Sequence, residues 1–193
     1  MKKVLLLTVA LLSLYGCLIP DKFTMVIDIG TDGSYAINYE GTMMFGLFLG
    51  SRPSDRDIEA VKHDILRDHR FKSAEYAGNG RYKVSYVDKG KLTSPVYFIG
   101  QEMTNFVTII PRSQDKDKLV TIVSSLDFSQ SRQGEIKEIV DSIDGILIVR
   151  TKGKVLDHNA ETTPRFFGLF GDYTWHIKKG FKAPSMLINI PNR

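Results

Sequence analysis

The sequence is poor in the residues that build metal centres and cross-links. Its 193 residues include one cysteine, one tryptophan and four histidines. A single cysteine excludes an intrachain disulfide and any cysteine-rich zinc or iron–sulfur site. His63 and His69 stand six apart, which does not place them on one helical face at ligand spacing, and no HExxH or His-x-His pattern occurs. His63, His69, His158 and His176 therefore read as surface or half-buried side chains. The G-x-S-x-G elbow, the S-x-x-K pair and the GxxxxGK phosphate loop are missing too. Together these gaps set the expectation that the chain is not an enzyme and carries no cofactor and no metal. No apolar run reaches the ~20 helical residues that a bilayer crossing needs. No charge of one sign dominates: 26 Lys and Arg face 22 Asp and Glu, for a net +4. Nucleic-acid binding thus lacks its electrostatic motive. With 42% hydrophobic and 25% charged residues, the composition is that of an ordinary globular protein, and the length suits one domain.

What is present is most specific at the N-terminus. Met1-Lys2-Lys3 is a short positive segment, and Val4 to Leu14 is an apolar run broken only by Thr8 and Ser13. Those are the dimensions of a secretory signal core. Leu14-Tyr15-Gly16-Cys17 follows and resembles the bacterial lipobox, with Tyr15 where that pattern usually has a small residue. The resemblance implies that Cys17 is acylated by diacylglycerol on its thiol and that the peptide is cut before it. Each buried CH₂ contributes ~0.8 kcal/mol, so two or three acyl chains anchor a protein firmly. Leu18, rather than Asp, follows the cysteine, which in sorting of the enterobacterial kind directs a lipoprotein to the outer membrane, facing the periplasm. The expected organisation is a signal peptide at 1–16, a short membrane tether at 17–22 and a folded domain at 23–193. Loss of Lys2 and Lys3 lowers the net charge to +2.

Along the remaining chain, periodicity predicts strands more often than helices. Thr24 to Ile29 and Tyr35 to Glu40 flank a turn centred on Asp32-Gly33. Ser54, with Asp57 three residues on, predicts a capped helix over about 55–68, whose apolar stripe is Ile58, Val61, Ile65 and Leu66. Gly78-Asn79-Gly80 between two alternating segments predicts a second hairpin. Further strands are expected near 96–99, 106–110, 119–125, 146–150, 154–156, 173–178 and 186–190. Ile136, Ile139, Val140 and Ile143 predict a short second helix over 135–143. Short turns imply antiparallel pairing. The expected fold is α+β: one domain with a curved antiparallel sheet, one main helix and a short second helix.

Two features bear on function. Asp28 to Ser34 has some character of a calcium loop, but its third position is Gly30 and its twelfth is Tyr39, so a hairpin turn explains it better. Phe45-Gly46-Leu47-Phe48 recurs as Phe167-Gly168-Leu169-Phe170, preceded by Phe166 and followed by Trp175. Neither segment alternates as a half-buried strand does. The expectation is that Phe45, Phe48, Phe166, Phe167, Phe170 and Trp175 either pack in the core or contact a hydrophobic ligand or partner. Residues 151–193 carry seven basic side chains against three acidic ones, a face suited to anionic headgroups or simply to solvent.

The lipobox with its following strand–Asp32-Gly33-Ser34–strand unit resembles bacterial lipoproteins built on the LppM-type domain. So do the 54–68 helix, Gly153 to Ala160, and Tyr173 to Ile177. That resemblance implies an α+β lipid-binding architecture. The expectation is a lipid-anchored protein of the bacterial cell envelope with a non-enzymatic binding role for a lipid or other hydrophobic ligand. The alternative is an accessory lipoprotein subunit of an envelope assembly such as a secretion or conjugation machine.

Overall fold

A computed structural model describes residues 18–45, 48, 52–98, 106–114, 117–124, 142–165 and 171–191. The strands are β1 (Leu18–Ile29), β2 (Ser34–Phe45), β3 (Phe71–Gly78), β4 (Arg81–Lys91), β5 (Val96–Phe98), β6 (Val107–Gln114), β7 (Asp117–Ser124), β8 (Asp144–Thr151), β9 (Lys154–His158), β10 (Tyr173–Ile177) and β11 (Ser185–Pro191). The helix α1 spans Asp55–Arg67. Two sheets result, in the orders β10-β8-β1-β2-β4-β3 and β5-β6-β7-β11-β9.

The α+β expectation is therefore corrected to a mostly β architecture of two sheets with one helix among the described residues. The first sheet is also mixed rather than antiparallel, because β1 pairs with β8 in parallel. Of the expected second helix, residues 135–141 lie outside the described residues. Ser142 and Ile143 are not helical.

Alternation along the strands builds the core. Phe23, Met25, Ile27 and Ile29 of β1 are buried, while Lys22 and Thr24 face outward and are exposed. The corresponding faces of β2, β4 and β8 supply Ile37, Tyr39, Tyr82, Val84, Tyr86, Leu147 and Val149. The second sheet answers with Phe98, Val107, Ile109, Val120, Ile122, Met186 and Ile188, in the same apolar cluster. Aromatic rings join the layers: Phe98 lies 5.1 Å from both Tyr39 and Tyr86, and Phe106 stands edge-on to Phe23 at 5.2 Å. Such pairs contribute about 0.5–1.5 kcal/mol each beyond the area they bury.

The helix begins where the sequence predicts. The Ser54 hydroxyl accepts from the Asp57 N–H, and the Asp57 carboxylate accepts from the Ser54 N–H. Val61 and Ile65 enter the core and the Tyr82 hydroxyl donates to the Ile58 carbonyl, so α1 covers the β3–β4 end of the sheet. Leu66, placed by periodicity on the apolar stripe, is instead 40% exposed. No described helix is long and apolar enough to cross a membrane.

Candidate functional site

Strand β1 starts at Leu18, so residues 18–22, expected as a tether, are part of the ladder. Leu18 pairs with Phe45, Ile19 with Met44 and Pro20 with Met43. A bulge between Pro20 and Phe23 then turns Asp21 inward. Asp21 is only 1% exposed. Its carboxylate accepts from Arg81 Nε at 2.8 Å, from the Thr42 hydroxyl at 3.1 Å and from the Ser142 hydroxyl at 3.5 Å. Gly41 sits opposite the bulge, where a Cβ would lie 2.2 Å from the Lys22 carbonyl oxygen and 2.6 Å from Phe23 Cα. Only glycine lets the two backbones approach this closely.

Phe45 and Phe48 belong to this end of the sheet. The Phe45 N–H donates to the Gly80 carbonyl at 2.8 Å, and the two rings meet edge-to-face at 5.1 Å. Both are half-buried, as are Leu18 and Ile19 beside them. Cys17, Phe166, Phe167 and Phe170 lie outside the described residues. The residues flanking 166–170 stand at the opposite end of the sheet: Gly171 abuts Pro164, and Tyr173 pairs with Val149, itself beside Ile27. The eleven steps from Leu18 to Ile29 span roughly 35 Å at about 3.3 Å per residue. The flanks of the two aromatic repeats are thus not brought together. Trp175 is a core residue, 3% exposed, and its indole N–H donates to Asn159 Oδ1 at 2.7 Å. The same oxygen accepts from the Ser185 N–H, while the Asn159 amide donates to the Ala183 carbonyl. Asn159 therefore ties the β10 edge of one sheet to β11 of the other.

An open cleft of about 610 Å³ lies at that far end, around the β1–β2 turn and the β8–β9 junction. Its polar wall includes Asp28, Asp32, Arg150, Lys152 and Asp172, and its apolar wall includes Ala36 and Pro164 with the rings of Tyr35 and Tyr173. The turn is built by Asp32, whose Oδ1 accepts from both the N–H and the hydroxyl of Ser34. The Gly30 N–H closes it onto the Ser34 carbonyl. Lys91, together with the Ser34 bonds, holds the Asp32 carboxyl well below the usual carboxylate range. The Asp172 carboxylate, 3.0 Å from Arg150 Nε, holds that guanidinium charged above its ordinary value. These are fixed charges, suited to binding; neither is poised to exchange a proton near neutral pH. Among the described residues no group of His, Cys, Asp and Glu could hold a metal ion. His176 pairs with Glu161 at 2.7 Å and His158 packs edge-on to Tyr173.

Sequence reading located the Asp32 turn but not the cleft, whose walls come from three segments far apart in the chain. The only available signal was Asp28 and Asp32 within one hairpin, which a turn alone explains.

No family model matches the chain, and no curated protein matches it. A solved structure similar to it is the NMR structure of the folded domain of LppM from Mycobacterium tuberculosis. The two align over 92% of this chain and 93% of that one, at 12% identity and a TM-score of 0.47. That protein is of the type whose motifs the sequence resembles, and at this level neither a shared site nor a shared function follows.

Proposed function

We propose that the protein is a lipid-anchored component of the bacterial cell envelope with a non-enzymatic binding role. The observation that carries this reading is the junction at residue 18. The Leu14-Tyr15-Gly16-Cys17 lipobox is followed with no linker by a strand hydrogen-bonded from its first residue. The anchor is acylated Cys17, and Leu18 after it favours the outer membrane over the inner one. The ligand surface is the cleft at the far end of the sheet. Its fixed charges and its proline and tyrosine walls match an amphiphilic molecule, with the polar end against Arg150 and Lys152 and the apolar part against Pro164 and the rings of Tyr35 and Tyr173. The test of the anchor is Cys17→Ser with detergent fractionation: the variant leaves the membrane fraction, and unchanged membrane association refutes the anchor. Native mass spectrometry of the lipidated full chain tests the ligand. A bound lipid-sized mass that Arg150→Glu weakens supports it, and an empty protein refutes it.

A second reading, an accessory subunit of an envelope assembly, is favoured by one specific feature. Strand β9 pairs only with β11 among the described residues, and its Leu156 is 46% exposed. An unpaired edge with an exposed aliphatic side chain is suited to strand addition by a protein partner. Crosslinking from position 156 in intact envelopes separates the readings, because only the second predicts one stoichiometric protein adduct.

A further inference from the structure

We infer that the end of the first sheet carrying Leu18, Ile19, Phe45 and Phe48 is a membrane-docking surface, resting directly on the bilayer that holds the anchor. The inference rests on the anchoring reading and adds to it an orientation and a set of contact residues.

Covalent geometry keeps the anchor close to the ladder. Consecutive Cα atoms are about 3.8 Å apart. Cys17 therefore stands one step from Leu18, which is already paired with Phe45. A flexible tether would let the domain turn any face toward the lipid; a ladder that begins at the next residue does not. Lifting this end away requires breaking the first pairs of β1 with β2. Those pairs are reinforced by Asp21, whose carboxylate joins β1 to Thr42 of β2 and Arg81 of β4.

The chemistry of this end suits an interface. Phe45 and Phe48 form an edge-to-face pair beside Leu18 and Ile19, and all four are half-buried rather than sunk in the core. Such side chains gain by moving partly into the headgroup–acyl boundary. Lys22, exposed within the bulge, offers a cation to anionic headgroups. The opposite end of the sheet carries the charged cleft, about 35 Å away along β1. The docked orientation therefore turns the cleft away from the bilayer.

Acylation consumes the protein's sole cysteine, so cysteines introduced elsewhere are labelled selectively. Single Phe48→Cys, Lys22→Cys and Lys152→Cys variants of the full chain carry an environment-sensitive fluorophore and are studied in membranes with nitroxide-labelled lipids. The first two labels are quenched and blue-shifted, and the label at 152 is neither. Lys22→Cys, at an exposed site, keeps the test valid if Phe48→Cys folds poorly. A membrane-bound protein whose labels at 22 and 48 escape quenching overturns the docking while leaving the anchor intact. Labels at 22 and 48 shielded from aqueous quenchers but not reached by lipid nitroxides also overturn it, in favour of a protein contact. Labelling of the unsubstituted chain at Cys17, with loss from the membrane fraction, refutes the anchor itself and the docking with it.

Discussion

The two ends of the β1–β2 ladder are made of the same strands and behave differently. Each end holds an aspartate paired with a cation. Asp21, at the Leu18 end, is 1% exposed and takes hydrogen bonds from Arg81, Thr42 and Ser142. Asp32, at the turn end, is exposed and paired with Lys91 in water. Burial decides what each pair does. At the first end, removing the partner leaves a carboxylate with no solvent to receive it, so the pair is structural and the surface around it is apolar. At the second end water screens the charges, so the pairs hold geometry and field without carrying stability.

The sharpest way to break this comparison is Arg81→Met. It strands the buried Asp21 carboxylate and is expected to cost about 3–5 kcal/mol, read as a lower midpoint in urea unfolding. The double variant Asp21→Leu/Arg81→Met recovers a large part of that loss, because no unpaired charge remains. If Arg81→Met costs under about 1 kcal/mol, the pair is no different from a surface one, and the contrast between the ends fails.

How much of this was legible depended on how local the signal is. The α1 start was readable because Ser54 and Asp57 lie three residues apart. The 78–80 hairpin was readable because Asn79, with φ at 50°, and its flanking glycines all take positive φ. The start of β1 was missed because Pro20 and Asp21 break the alternation, and the bulge that accommodates them is fixed by Thr42, Arg81 and Ser142, residues far along the chain. The parallel pairing of β1 with β8 joins Lys22 to Asp144, with no local mark on either. Period-two alternation shows which side chains point inward but not which of two sheets a strand joins, so one curved sheet was expected where two pack together. The aromatic repeat marks two apolar segments but carries no sign of where each lies in the fold. Phe45 and Phe48 of its first copy pack on Gly80, and the described flanks of its second copy lie at the other end of the sheet.

A smaller effect sharpens the first end alone. Gly41→Ala introduces a Cβ against the Lys22 carbonyl and Phe23 Cα, both backbone atoms that cannot swing aside. The expected cost is about 1–3 kcal/mol. Faster hydrogen exchange at the Leu18–Phe45 and Phe23–Gly41 pairs, with the turn end unchanged, checks that the damage is local. Smaller again is Asp172→Asn at the far end, which removes the partner of a half-exposed Arg150. Its expected cost is under about 1 kcal/mol, and salt diminishes even that.

The smallest effect sits at Asp32 and concerns charge rather than stability. Its ordinary value is 3.8, and Lys91 and Ser34 lower it in the folded protein. A lowered carboxyl contributes fully above its unfolded value, and that contribution fades only as the pH falls through the folded one. Between pH 5 and 8 Asp32 therefore stays ionised, and the contribution of its pair with Lys91 is constant across the interval. Carbonyl-carbon NMR of Asp32 checks this directly. Its titration midpoint falls below 3.8 in the native chain and rises toward 3.8 in Lys91→Met. A native midpoint at or above 3.8 means that the pair is not formed in solution, and the fixed-charge character that distinguishes this end from the buried one is lost.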